Sequence, residues 1–147
     1  MTCTTKETGN MHPNTIRGMI AQNKAELRAI EKGYLVSKPI TECARYDMII
    51  DDGVRRERVQ VKYAGGHQHR SKGSCVADLR CKSGRHTYAN CYNRDEIDAV
   101  LVYIPNLDKV CYLPVDLIAG KNAVTLRYAP PKNGQTKGIL FVEDYVW

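Results

Sequence analysis

No stretch of this 147-residue chain approaches about 18 consecutive apolar residues, which argues against a membrane-spanning helix. The opening decapeptide MTCTTKETGN has no apolar core, so it does not read as a signal peptide; it predicts a disordered leader over 1–13 and a cytoplasmic protein. There is no CxxC pair among the six cysteines. Cys75, Cys81 and Cys91 could be combined with His67, His69 or His86, but their spacing matches no zinc finger or ribbon. Reduced thiols are the simplest expectation, and a zinc-stabilised nucleic-acid module is the weakest of the readings weighed. Internal repeats, coiled-coil heptads and low-complexity tracts are all missing. Acidic residues are scarce in one place: between Val54 and His86 only Glu57 and Asp78 stand against nine lysines and arginines. That segment therefore carries +7 of a chain whose total is +6, and the remainder sums to −1. A segment of one sign is an electrostatic footprint for a polyanion such as nucleic acid.

What is present is ordinary for one globular domain, expected over 14–147: 43% hydrophobic and 26% charged residues. Asn14 to Lys32 predicts a helix, capped by Asn14 or Thr15 and stopped by Gly33. Ile16, Met19, Ile20, Leu27 and Ile30 share a narrow stripe at helical spacing, expected to face the core, with Gln22 and Glu26 along its border. After the helix the sequence alternates in short runs. YLVSKPI is extended, and YDMII and RVQVKY are strands around an Asp51-Asp52-Gly53 turn. CVADL, HTYANCY, AVLVYIP, KVCYLPV and NAVTLRY are further strands, and ILFVEDY closes the chain. The order predicts an α+β domain on one mixed sheet with an N-terminal helix packed on one face. In RVQVKY, Val59, Val61 and Tyr63 face one way, and Gln60 and Lys62 the other.

The helix, the Asp47 at the head of one strand, and the Gln60-x-Lys62 pair on the adjoining strand together resemble the PD-(D/E)xK nuclease superfamily. More narrowly they are similar to its small intron-encoded homing endonucleases. The resemblance runs through NTIRGMIAQNKAELRAIEKGYLV, ARYDMIIDDG and VQVKYA, and less sharply through IDAVLVYIP, VCYLPVDLI and NGQTKGILFVEDY. It implies a restriction-endonuclease-like core. It also implies that Asp47 corresponds to the metal-binding aspartate, Gln60 to the acidic position of the triplet, and Lys62 to the catalytic lysine. The sequence departs from the pattern twice. Gln60 is not an acid, a change found in the homing branch. The helix position counted back from Gly33 falls on Gln22, with the acid Glu26 one turn later; both are candidates, and charge favours Glu26.

The chemistry is coherent on these residues. Mg²⁺, with Mn²⁺ as a substitute, prefers hard oxygen donors and retains water. Asp47, the Gln60 amide, the Val61 carbonyl and Glu26 are candidate ligands. Lys62 can orient or deprotonate the attacking water and stabilise developing charge. The expected partner is double-stranded DNA, contacted by Arg55, Arg56, Arg58, Arg70, Lys72, Arg80, Lys82 and Arg85. One active site per small monomer calls for a homodimer or homotetramer to cut both strands. Rival expectations are a Holliday-junction resolvase-like or repair nuclease on the same fold, and a non-catalytic DNA-binding relative.

Overall fold

The computed structural model describes residues 11–65, 72–83, 86–88 and 92–147. In chain order the elements are α1 (Pro13–Glu31), β1 (Leu35–Ser37), β2 (Met48–Asp51), β3 (Arg56–Tyr63), β4 (Ser74–Asp78), β5 (Cys81–Ser83), β6 (His86–Tyr88), β7 (Ala99–Ile104), β8 (Lys109–Pro114), α2 (Val115–Ile118), β9 (Ala123–Arg127), β10 (Leu140–Phe141) and α3 (Val142–Tyr145). A five-stranded sheet runs β1-β2-β3-β7-β8. Its β3–β7 pair is parallel and its other pairs are antiparallel, so the sheet is mixed, as expected. A second sheet, β10-β9-β4, packs on one face, and β5–β6 is a separate hairpin. Among the described residues no helix is long and apolar enough to cross a membrane.

Local chemistry sets the boundaries. Nδ1 of His12 accepts the Asn14 N–H at 3.2 Å, and Pro13 takes the first helical turn, where its missing N–H costs nothing. At the other end Gly33 adopts φ 84°, and the Tyr34 N–H closes onto the Ala29 carbonyl at 3.0 Å. The β2–β3 turn is built from its aspartates. Asp51 Oδ1 accepts the Gly53 N–H at 2.8 Å, and Asp52 Oδ1 accepts those of Val54 and Arg55 at 2.8 and 2.7 Å. The chain end differs from the expected strand. Only Leu140 and Phe141 extend before a helical turn begins, which buries Val142 against the sheet. The cysteines also differ from expectation in part: Cys43, Cys75 and Cys111 are free, whereas Cys81 is disulfide-bonded.

The helix reverses the predicted face. Ala21, Ala25 and Ala29 are the buried residues of α1, packed with Met48, Ile50, Val59, Val61, Leu101 and Tyr103. Ile16, Met19, Ile20, Leu27 and Ile30 instead point outward, with Ile30 57% exposed. The physical reason is the distance of approach. The sheet already fills the interface with branched and aromatic side chains, so the helix lies close only by presenting methyl groups. A second core lies on the opposite face, where Val100, Val102 and Ile104 of β7 meet Ala77 and Leu79, and Val124 and Leu126 of β9.

This packing sets an expected pair of stabilities. Ala25→Leu overpacks the helix–sheet seam and lowers unfolding free energy by about 1–3 kcal/mol. Ile30→Ala changes it by no more than about 0.5 kcal/mol in the monomer. Urea unfolding of both variants checks the assignment, and the reverse order overturns it.

Candidate active site

β2 begins at Met48, opposite Val59, so β3 from Gln60 onward has no β2 partner on that edge. Asp47 fills the gap. Its own N–H donates to the Val59 carbonyl at 2.9 Å, and its Oδ2 accepts the Val61 N–H at 2.7 Å. The side chain thus replaces one rung of the ladder and holds its carboxylate beside Gln60. A strand residue directs its N–H and C=O to the same edge, so the Val61 carbonyl projects on the Asp47 side as well. Gln60 and Lys62 lie in register with Val100 and Val102, whose side chains belong to the second core. Their side chains therefore leave the sheet on the face away from α1.

A cavity of about 520 Å³ opens at this end of β3. Gln60, Val61, Lys62 and Tyr63 form one wall, Asp78, Arg80, Cys81 and Tyr92 another, and Asn14, Arg17 and Gly18 bring the start of α1 to its rim. Asp47 stands behind this wall through its bond to Val61 rather than lining the cavity itself. Burial raises its pKa above the ordinary carboxylate value, against the Val61 hydrogen bond and the Lys62 charge, which lower it. Asp78 is the opposite case. The Arg80 guanidinium forks onto it at 2.9 and 2.8 Å and pulls its pKa down to about 2, with a smaller contribution from Lys62. Among the described residues no three His, Cys, Asp or Glu side chains group to hold a metal, so any cation here relies on amide and carbonyl oxygens too.

The two helix candidates do not line this cavity. With 1.5 Å of rise per residue, Gln22 lies about 6 Å and Glu26 about 12 Å along α1 from Gly18. The Glu26 carboxylate pairs with Lys38 Nζ at 2.5 Å. The basic residues also separate. Arg55 pairs with Glu57 at 3.3 Å, Arg56 with Asp51 at 2.9 Å and Arg80 with Asp78. Arg58 is built into the fold: it pairs with Asp98 at 3.2 Å, and its guanidinium donates to the carbonyls of Arg94 and Asp95. Lys72 is exposed, Lys82 lies on β5 with its side chain outside the description, and Arg70 and Arg85 lie outside the described residues. Sequence reasoning passed over Asp78 and Tyr92 as site residues. Asp78 registers there only as a counter-charge to the basic run, and nothing local to Tyr92 shows that it returns to β3.

Fold and site together are those of a nuclease-type scaffold, and the comparisons agree. The family model for PD-(D/E)XK endonucleases matches residues 11–147, so the chain belongs to that family. Its fold is restriction-endonuclease-like. It is shared with the solved structure of the bacterial homing endonuclease I-Ssp6803I at a TM-score of 0.74 and 24% identity, covering 92% of this chain and 89% of that one. No curated protein matches.

The raised pKa of Asp47 carries a signed expectation. A carboxyl whose folded pKa lies above its unfolded value contributes stability below the unfolded value, near 3.8, and loses it as pH rises through the folded value. At neutral pH the charge on this half-buried carboxylate is therefore a cost. Asp47→Asn keeps an oxygen acceptor for Val61 and removes that cost, so its melting temperature should exceed the wild type's at pH 7. The gap should close below pH 4. A variant less stable than wild type at pH 7 overturns this account.

Proposed function

We propose that this endonuclease is a Mg²⁺-dependent enzyme acting on double-stranded DNA, of the site-specific homing kind, and that it works as a homodimer or homotetramer. The observation that carries the proposal is the Asp47–Val61 hydrogen bond, which sets a half-buried carboxylate beside Gln60 and the Val61 carbonyl, with Lys62 on the same wall. The donor set fits a hard cation: one carboxylate and two neutral oxygens, with no thiol or imidazole. Partial burial raises the pKa of Asp47, and a divalent ion beside it would favour the ionised form. Asp47, Gln60 and Val61 would hold the ion. Of the helix candidates the geometry favours Gln22, since Glu26 is farther from the cavity and tied to Lys38. When bound, such an ion polarises the phosphate and acidifies water.

The chain's own residues do the rest. Lys62 presents its ammonium to the cavity, where it orients the attacking water and offsets charge building on the phosphate oxygens. Arg80, forked by Asp78, reaches the same cavity and can take a phosphate oxygen with its remaining N–H groups. Arg17 on the α1 rim adds positive charge around the entrance, where Arg45 also lies, paired with Glu96 at 3.2 Å. Arg55, Arg56, Lys72 and Lys82 extend the positive field, and Arg58 contributes by holding the 94–98 turn. One such cavity per copy handles one strand, so cutting both strands calls for paired copies. The homing assignment is supported by the fold shared with a homing endonuclease and by glutamine at the acidic position of the triplet.

Supercoiled plasmid nicking tests the reading. Wild-type protein should nick in Mg²⁺ or Mn²⁺ and not in chelator. Lys62→Ala should lower the rate by about 10²–10³ with binding retained. A protein that binds duplex DNA but nicks in neither metal is the non-catalytic relative. Preference for four-way junctions over linear duplex indicates a resolvase instead. Affinity should fall steeply with salt, with about −0.9 in log–log slope for each phosphate neutralised on duplex DNA. A flat dependence removes the basic segment from the interface.

A further inference from the structure

The Lys62 ammonium lies 5.4 Å from the centroid of the Tyr92 ring, within the range of a cation–π contact. Both residues line the cavity, and Tyr92 is only 6% exposed, so the ring side of the contact is shielded from bulk water. Tyr92 packs into the second core with Ile97 and Leu79, which fixes where its ring sits. Burial, and then the negative charge of Asp47, pushes its phenol up to about 12. The hydroxyl is therefore neutral under working conditions, and what Lys62 meets is a π face rather than a phenolate.

A lysine needs such a seat here. Its stem is flexible and its ammonium is a point charge. Two carboxylates feel that charge, Asp47 and Asp78. Collapse onto either would neutralise the ammonium. An aromatic face attracts a cation directionally and carries no net charge of its own. We propose that Tyr92 is the positioning residue of Lys62: its ring seats the ammonium and aims it into the cavity. The proposal rests on the nuclease reading above for its catalytic consequence, but the seating is a property of the free protein.

The test uses the full chain. Tyr92→Phe keeps the ring and should cleave plasmid at close to the wild-type rate. Tyr92→Leu should lower kcat by about 5- to 30-fold, the range of a shielded cation–π contact, with KM within roughly twofold. Leucine in a core position can also disturb folding, so a second series holds shape constant: Phe at 92 with one, two and three ring fluorines. Each fluorine weakens the π face without changing packing, and kcat should fall stepwise. A flat kcat across the fluorinated series overturns the proposal, as does a Tyr92→Leu protein that cleaves like wild type. A second readout needs no activity. The Lys62 ε-methylene protons should be shifted upfield by the ring in wild type and return to ordinary values in Tyr92→Leu. A wild-type protein that shows the shift but cleaves no DNA sinks the nuclease reading while the seating stands. One that cleaves DNA without the shift sinks the seating alone.

Discussion

The N–H of Val61 has no strand to pair with, and the carboxylate of Asp47 takes it at 2.7 Å. A buried backbone donor left unpaired costs about 1–3 kcal/mol, so this bond is a requirement of the sheet. Satisfying it places a carboxylate at the spot where β2 stops and the open edge of β3 begins. The site follows from that one placement. Gln60 lies between the two residues that Asp47 bonds, the Val61 carbonyl shares its edge, and Lys62 follows on the same face as Gln60. The same device recurs one strand over. Asp98 precedes β7 and accepts the Arg58 N–H at 2.7 Å, while its own N–H donates to the Arg58 carbonyl at 2.9 Å. In both cases an aspartate just before a strand extends the ladder by one rung. The first stands behind the wall of the cavity.

Charge is arranged around this frame in two ways. Some cations serve the structure. Arg58 is spent on Asp98 and on two carbonyls of the 94–95 turn, and Lys38 on Glu26. Others keep part of their donor capacity toward the cavity. The Asp78–Arg80 fork engages Nε and one terminal nitrogen and aims the rest of the guanidinium. Half-exposed pairs of this sort contribute little to stability, so their effect here is on direction more than on folding energy. The raised pKa of Asp47 and the lowered pKa of Asp78 mark the contrast between the two carboxylates of the site. One is half-buried and held mainly by a backbone amide, and the other is compensated by a guanidinium. Pairs of acids pushed apart in this way are a signature of functional sites.

The helix shows how a periodic pattern can be read correctly and assigned to the wrong face. Its apolar residues and its alanines lie on opposite sides of the same cylinder. Hydrophobicity alone ranks the isoleucine and leucine side as the buried one. The sheet beneath carries Met48, Ile50, Val59 and Leu101, which leaves room only for methyl groups. The consequence for the site is direct. The alanine seam continues to Gly18, three residues before Ala21, and this close approach brings the first turns of α1 to the rim of the cavity.

Several features were legible in the residues alone. The Asp-Asp-Gly turn, the alternation of Val59, Val61 and Tyr63 against Gln60 and Lys62, the helix stop at Gly33 and the α+β order all follow from turn chemistry and periodicity, which are local. The pairing of Asp47 with the Gln60-x-Lys62 arm was visible because a hairpin makes neighbours of residues close in sequence. Tertiary structure alone decided the rest. Asp78 and Tyr92 reach Lys62 from segments that no short-range rule connects to β3. Arg58 was taken up by Asp98, 40 residues away. The choice of helix face was made by the volume of the sheet beneath it. Sequence determines what each stretch can form and which side chains share a strand face. Which faces meet, and which charges are consumed where they do, depends on packing between distant segments.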